Sequence, residues 1–199
     1  MNVLQIAALS YLLFYAGILL GFRSYLLYKG TGINPLSSRK TNGLEGFIER
    51  IFRFCFFLIC VVVINFVFIE NNYKLLVPIT YLEREIVGYL GILISSIGLI
   101  FSLIAQLQMG DSWRLGLNEN ETTKLINHNI YAYSRNPIYL GYLVSIVGFF
   151  MIMPNAISLC LLALSIVSIG MKVRLEEVYL LNKLGTEYQS YVDKVRRWI

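Results

Sequence analysis

Charge and histidine are both scarce in this chain of 199 residues. Charged residues make up 15% of it, against about 25% in soluble domains, whereas hydrophobic residues reach 57%. This balance excludes an ordinary soluble domain. The single histidine, His128, excludes a histidine-rich metal site.

Cysteine motifs and nucleotide-binding loops are also missing. The three cysteines, Cys55, Cys60 and Cys160, lie in apolar stretches without a CxxC pair, which excludes a zinc ribbon and a disulfide framework. Neither GxGxxG nor GxxxxGK[ST] occurs, so the usual soluble nucleotide-binding loops are absent. The net charge of +5 comes from basic residues beside apolar stretches, which indicates a membrane face rather than nucleic acid. We therefore expect neither a metal nor a nucleic-acid partner.

Four long stretches contain no charged residue: Met1–Phe22, Phe54–Ile69, Ile86–Gly110 and Asn136–Met171. About 20 apolar residues cross the roughly 30 Å of a bilayer core, so these stretches predict membrane spans. The last has 36 residues and contains Pro154-Asn155 at its middle, which predicts a hairpin of two helices of about 16 residues. The fold class predicted is an all-α integral membrane bundle of five transmembrane helices, three long spans plus a C-terminal helical hairpin, followed by a cytoplasmic C-terminal helix.

The distribution of basic residues predicts the orientation. With five spans, residues 22–53, 110–135 and 172–199 share one side, and they hold every Lys and Arg except Lys74 and Arg84. The positive-inside rule places that side in the cytoplasm and the N-terminus outside. No basic segment precedes the first span, about Val3–Tyr25, so we expect a retained helix rather than a cleaved signal peptide. Its GxxxG pair, Gly17 and Gly21, predicts close helix packing.

Two segments on the cytoplasmic side combine Arg, Tyr, Glu and Asn. Because the hairpin returns to its starting side, Arg135–Tyr139 and Glu176–Glu177 are expected at adjacent helix ends. The residues alone leave two interpretations open: a functional site, or a solvated helix surface with Arg135 as a lipid-phosphate anchor. Adjacent glutamates point about 100° apart, so at most one can face a bundle interior while the other faces water or a basic partner.

The motifs in these segments resemble those of one enzyme family. Residues 125–141 include Leu125-Ile126, Ile130-Tyr131 and Arg135-Asn136-Pro137-Ile138-Tyr139-Leu140-Gly141. This pattern is similar to the L-V-x-x-G-x-Y-x-x-x-R-H-P-x-Y-x-G motif of isoprenylcysteine carboxyl methyltransferases, which are grouped with phospholipid methyltransferases. Glu176-Glu177, seven residues and then Gly185-x-Glu187-Tyr188-x-x-Tyr191 resemble the E-E-x7-G-x-E-Y-x-x-Y ending. Gly110–Arg114 resembles the upstream G-x-x-W element.

The resemblance is strong over residues 110–199 and is limited to compatible spans over residues 1–109. It divides the chain into a three-span region, 1–109, and a methyltransferase-like catalytic region, 110–199, within one membrane domain. Three positions depart from the motifs. Asn136 replaces a histidine and cannot titrate, Asn129 replaces a glycine but tolerates a left-handed turn, and Lys172 replaces an arginine attributed to carboxylate binding.

The resemblance implies a methyltransferase that uses S-adenosylmethionine at the cytoplasmic membrane face. It implies catalytic roles for Arg135, Glu177 and Arg174, and substrate binding by Lys172 and Arg174. A lysine more readily snorkels to lipid phosphates, which favours Arg174 over Lys172 as the contact to an anionic acceptor. The cofactor-binding residues implied are Leu125, Ile126, Tyr131, Asn136, Pro137, Tyr139, Glu176 and Glu177. The partners implied are the lipid bilayer and a lipophilic or small methyl acceptor.

The acceptor stays open at this point. A prenylcysteine carboxylate, a lipid amine or a small thiol would each suit methyl transfer beside a membrane. Two other functions compete with the methyltransferase. Integral-membrane sterol reductases are similar in their C-terminal half and bind a nicotinamide cofactor, and a non-catalytic membrane interaction protein could retain the motifs for packing alone.

Overall fold

The fold is that of a computed structural model, which describes residues 1–22, 24–25, 28–29, 43–110 and 125–199. The regular secondary structure of these residues is helical, and the only strand-like pairing among them is an isolated bridge between Pro78 and Asn155. The α-helices of the described part are α1 (Val3–Phe14), α2 (Leu44–Phe68), α3 (Glu70–Tyr73), α4 (Glu85–Met109), α5 (Pro137–Ile152), α6 (Ala156–Leu184) and α7 (Thr186–Lys194). The Gly110–Arg114 element lies outside the described residues from Asp111 onward, as does most of the loop that follows the first span.

Three helices are long and apolar enough to cross a membrane: α2, α4 and α6. Two shorter apolar helical stretches, Val3–Gly17 and Pro137–Ile152, accompany them. The prediction of an all-helical membrane protein is confirmed. The first span is less regular than predicted, because α1 passes into a π-helix at Tyr15–Phe22.

The long apolar run divides where the sequence predicted. Helix α5 ends at Ile152 and α6 begins at Ala156, because Asn155 caps α6. The Asn155 side chain accepts a hydrogen bond from the Ser158 amide at 2.9 Å, and the Asn155 amide donates to Ser158 Oγ at 3.1 Å. Such a capping box satisfies N–H groups that the first helical turn would leave unpaired. The turn is further held by the amide of Ile79, which donates to Pro154 O at 2.8 Å.

Helix α6 is much longer than the 16 residues predicted for it. It continues without a break through the charged residues that follow the apolar run, and it ends at Gly185, whose φ is +56°. Lys172 and Arg174 therefore belong to the same helix as the apolar run. Lys172 pairs with Glu176 one turn further along the same helix, and Lys172 and Glu177 also pair with residues of other segments. The helix therefore need not stop where hydrophobicity does.

Helices α4 and α5 meet along a seam of small residues, which we call the glycine seam: Gly91, Ser95, Gly98 and Ser102 on α4, and Gly141, Ser145 and Gly148 on α5. A Cβ added to Gly98 would lie 2.5 Å from Gly141 O. Ser102 Oγ donates to Ile138 O at 3.2 Å across the seam. Small residues let the two backbones approach this closely. Close packing was predicted instead at Gly17 and Gly21, and this was wrong for Gly17, which has no described atom within 4 Å of an added Cβ.

The apolar core lies between these helices. Tyr11 of α1, Val62 and Val63 of α2, Phe149 of α5 and Leu161 of α6 belong to one buried cluster. The core thus holds the hairpin of α5 and α6 against α1, α2 and α4. This arrangement places the start of α5 beside the second half of α6.

Candidate functional site

The first group of polar residues surrounds the carboxylate of Glu177. Arg135 Nη2 lies 3.3 Å from Glu177 Oε1, and the Asn136 side-chain amide donates to the same oxygen at 3.4 Å. Arg197, from the C-terminal tail, binds both oxygens: its Nε lies 3.1 Å from each, and its Nη2 lies 2.6 Å from Oε2. The side chains of Arg135 and Glu177 are 9% and 13% exposed, whereas that of Arg197 is 40% exposed. We call these four residues the arginine cluster.

The second group surrounds the carboxylate of Glu176. The Tyr139 hydroxyl donates to Glu176 Oε1 at 2.6 Å, and Lys172 Nζ lies 3.7 Å from the same oxygen. Lys172 also donates to Glu45 Oε1 at 3.0 Å, which connects α6 to the first turn of α2. We call these four residues the lysine cluster. Since Glu176 and Glu177 are consecutive, the two clusters are neighbours.

Their closeness confirms the prediction that Arg135–Tyr139 and Glu176–Glu177 meet. The two glutamates point to different partners, as their angular separation predicted: Glu177 faces Arg135 and Arg197, and Glu176 faces Lys172 and Tyr139. Both carboxylates have a basic partner, and neither is fully exposed to solvent. Snorkelling of Lys172 to lipid phosphates is wrong, because its side chain is only 2% exposed. The ammonium group is turned inward to two carboxylates. Arg174, by contrast, is exposed on α6.

One donor in the arginine cluster lacks a partner. The Nε of Arg135 is buried and makes no hydrogen bond to any residue that the structure describes. Buried polar groups are almost always hydrogen-bonded, and each exception calls for an explanation. A hydrogen-bond acceptor on a ligand would satisfy this nitrogen. The Nη2 atom of the same guanidinium group already contacts the Glu177 carboxylate.

A 3₁₀ turn at Asn129–Ala132 supports the start of α5. Asn129 has a φ of +55°, which confirms that asparagine tolerates the left-handed conformation at this position. Tyr131 is 5% exposed, and its hydroxyl donates to Ala105 O at 3.2 Å. Burial against α4 raises the pKa of Tyr131 well above its ordinary value. This phenol therefore stays protonated and serves as a hydrogen-bond donor.

The C-terminal helix closes this side of the site. The Tyr191 hydroxyl donates to Tyr131 O at 2.5 Å. Burial raises the pKa of both Tyr188 and Tyr191 to about 12, and the Glu177 charge adds to the effect on Tyr188. The remaining predicted residues lie nearby in sequence: Leu125 and Ile126 are half-buried before the turn, and Pro137 is buried in the first turn of α5.

Sequence reasoning missed two residues of the clusters. Arg197 lies 20 positions after Glu177, and an arginine beyond the helix that follows Glu177 can fold back onto that carboxylate, which was the signal available in the sequence. Glu45 carries no such signal, because 127 positions separate it from Lys172. Among the described residues no group of three or more His, Cys, Asp or Glu is arranged to hold a metal ion.

Comparison with known proteins adds to this geometry. The family model described as phospholipid methyltransferase matches residues 86–187, which span α4, α5 and α6 and both glutamates. Two rice proteins, from Oryza sativa subsp. indica and subsp. japonica, are each named probable protein-S-isoprenylcysteine O-methyltransferase. Each is 28% identical over 138 residues, which are 68% of this chain and 72% of its own. The protein-S-isoprenylcysteine O-methyltransferase of Schizosaccharomyces pombe is 31% identical over 94 residues, 46% of this chain and 40% of its own.

Proposed function

We propose a methyl-transfer reaction with S-adenosylmethionine as the donor, because this chain belongs to the phospholipid methyltransferase family. It is an integral membrane protein of that family, with three helices long and apolar enough to span a bilayer. S-Adenosylmethionine would supply a methyl group carried on a positively charged sulfur. The observation that carries the proposal is the buried, unpaired Nε of Arg135 within the family-matched hairpin.

The residues present fit such a donor. Its amino-acid end has a carboxylate and an ammonium group, which need a cationic donor and an anionic acceptor close together. The arginine cluster has two guanidinium groups around one carboxylate and an unused N–H, so it suits the carboxylate. The neighbouring Glu176, which is 24% exposed, suits the ammonium group. Half-buried Leu125 and Ile126 suit an adenine ring.

The roles proposed follow from these placements. Arg135 and Glu177 would hold the amino-acid end of the donor in the orientation needed for transfer, while Pro137 and Asn136 would fix the start of α5. Tyr139 would orient the Glu176 carboxylate through its 2.6 Å hydrogen bond. No proton transfer is assigned to Asn136, because an amide does not titrate. Transfer of a methyl group from a sulfonium depends mainly on alignment and on exclusion of water, and these residues would contribute by holding the donor in a fixed orientation.

The acceptor proposed is lipophilic and enters from the bilayer. The names of the relatives favour an S-prenylated cysteine carboxylate as the first acceptor to test. Of the two cations implied for substrate binding, Arg174 is the better placed, since it is exposed while Lys172 is held by Glu45 and Glu176. An arginine can also grip a carboxylate with two parallel hydrogen bonds, which a lysine cannot.

We predict the cofactor contact from two single variants. Arg135→Ala and Glu177→Ala should each weaken binding of S-adenosylhomocysteine to the detergent-purified protein by about 10- to 150-fold, since hydrogen bonds to charged groups contribute about 1.5–3 kcal/mol. Isothermal titration calorimetry measures this. The exposed pair Glu83→Ala and Arg84→Ala, between α3 and α4, removes the same charges and should bind as the wild type does.

Three outcomes would contradict the proposal. Unchanged affinity in both site variants would return Arg135 and Glu177 to the surface and lipid-anchor interpretations. A wild-type protein that binds no S-adenosylhomocysteine, but does bind a nicotinamide dinucleotide, would favour the reductase. Binding of neither would favour a non-catalytic protein.

The orientation proposed is five spans with the N-terminus outside and the C-terminus in the cytoplasm. A cysteine placed at Ile199, in a background without the three native cysteines, should react with an impermeant maleimide only from the cytoplasmic side. One placed at Asn71, in the short helix α3, should react only from outside. Ser37, a second cytoplasmic position, lies outside the described residues. Equal reactivity of positions 71 and 199 from one side would overturn the five-span arrangement.

A further inference from the structure

The C-terminal tail, residues 195–199, lies against the start of α5. The Arg135 amide donates to Arg196 O at 3.0 Å, and the Asn136 side-chain amide donates to Arg197 O at 3.3 Å. The Ser134 hydroxyl lies 3.5 Å from that same carbonyl. Asn136 is the N-cap of α5 but makes no capping hydrogen bond. The tail therefore satisfies polar groups that the helix start does not satisfy itself.

Helix α7 fixes where the tail runs. Its Tyr188 is 2% exposed, and its Tyr191 hydroxyl binds Tyr131 O. The Val195 amide then donates to Tyr191 O at 2.9 Å as the helix ends. Because two buried tyrosines anchor α7, the position of Arg197 in the arginine cluster is fixed by the helix that precedes it.

The Arg197 side chain holds Glu177 by both carboxylate oxygens. Such a bidentate pair fixes the plane of the carboxylate as well as its position. Hydrogen bonding to Glu177 raises the pKa of Arg197 above its ordinary value, so the guanidinium stays protonated. Arg135 reaches the same carboxylate only through Nη2, at 3.3 Å, and leaves its Nε unused.

We propose that Arg197 is a positioning residue, which holds the Glu177 carboxylate in a plane that keeps the Nε of Arg135 open for the cofactor. The inference rests on the proposed function. Without the bidentate contact from Arg197, the Glu177 carboxylate would be free to rotate and accept hydrogen bonds from both Nη2 and Nε of Arg135. The donor left for a ligand would then be consumed inside the protein. Arg197 lies beyond the family-matched residues 86–187, so the proposed positioning of Glu177 is a property of the C-terminal tail.

The test is S-adenosylhomocysteine affinity in a small set of full-length variants. Arg197→Gln should weaken binding by about tenfold or more. Arg197→Lys keeps the charge but not the bidentate contact, so it should give an intermediate loss of affinity. Lys194→Gln removes an exposed charge at the end of α7 and serves as the matched control, with wild-type affinity expected. Thermal unfolding of each variant shows that it is folded.

A double-mutant cycle separates positioning from direct contact. In a Glu177→Gln background, Arg197→Gln should change the affinity less than about twofold, because a positioning residue acts only through its partner. Equal losses in both backgrounds would mean that Arg197 touches the cofactor itself and would overturn the inference. Wild-type or tighter binding by Arg197→Gln would also overturn it, and tighter binding would identify the tail as a competitor. If Arg197→Gln does not fold, wild-type affinity in Arg197→Lys overturns it instead.

The two proposals fail differently. A wild-type protein that binds no S-adenosylhomocysteine rejects the proposed function and this inference with it. A wild-type protein that binds while Arg197→Gln binds equally well rejects the positioning role alone.

Discussion

Gly148→Leu is expected to lower the stability of the protein by about 3 kcal/mol, the upper end of the usual cost of overpacking, or to prevent its folding. A Cβ at this position would lie 2.5 Å from Gly91 O and still closer to the amide nitrogen of Ser95. Both are backbone atoms, so no side chain can move aside, and α4 and α5 must separate. Thermal unfolding in detergent, followed by tryptophan fluorescence or by loss of soluble protein, measures the effect.

The same substitution should also abolish S-adenosylhomocysteine binding, because α5 carries Tyr139 and begins directly after Asn136. Gly170→Ala is the matched control, since an added Cβ on this α6 glycine meets no described atom within 4 Å. It should be neutral or stabilising by up to about 1 kcal/mol, as alanine favours helix over glycine. Similar behaviour of the two variants would show that the glycine seam is not a tight contact. Gly148→Ala should lie between them.

Lys172→Met is expected to destabilise the protein by about 3–5 kcal/mol. The ammonium group lies 3.0 Å from Glu45 and 3.7 Å from Glu176, and it is almost entirely buried. Removing the ammonium group takes the counter-charge away from Glu176, whose carboxylate is largely buried. Breaking a buried ion pair by removing one partner costs more stability than replacing both partners. The same thermal unfolding measurement gives the size of the loss, and Arg174→Gln, an exposed cation two residues along α6, should lose less than about 0.5 kcal/mol.

A second substitution distinguishes charge from packing. Lys172→Met combined with Glu176→Gln should recover part of the lost stability, because the carboxylate left unpaired is removed as well. Cofactor binding should not recover, since Glu176 is proposed to hold the ammonium group of the donor. Wild-type stability in Lys172→Met alone would show that Lys172 is not needed as a counter-charge.

Much of the fold could be predicted because it follows local rules. Charge-free runs long enough to cross a bilayer predicted the apolar helices, and Pro154-Asn155 predicted the break between α5 and α6. The length of α6 could not be predicted in the same way. Hydrophobicity ends near Met171, but the helix continues because the charged residues that follow find partners on other segments.

The candidate site also has one part that could be predicted from the sequence and one part that could not. The meeting of Arg135–Tyr139 with Glu176–Glu177 follows from the return of a hairpin, which is a consequence of chain order. That Lys172 faces inward does not follow, because a lysine at the end of an apolar run can equally reach the membrane surface. Its direction depends on Glu45, and nothing near position 45 indicates a partner 127 residues away.

The sequence by itself determined the class of the molecule, an integral membrane protein of helices, and the motifs that mark its family. Those properties depend on composition, on run length and on residues close together in the chain. Only the tertiary structure decided which glycines pack, with the glycine seam rather than Gly17 in tight contact, and which charges pair, with Arg197 on Glu177 and Glu45 on Lys172. The physical reason is that backbone approach and burial of charge depend on the rotation and offset of one helix against another, which the residues of a single helix do not specify.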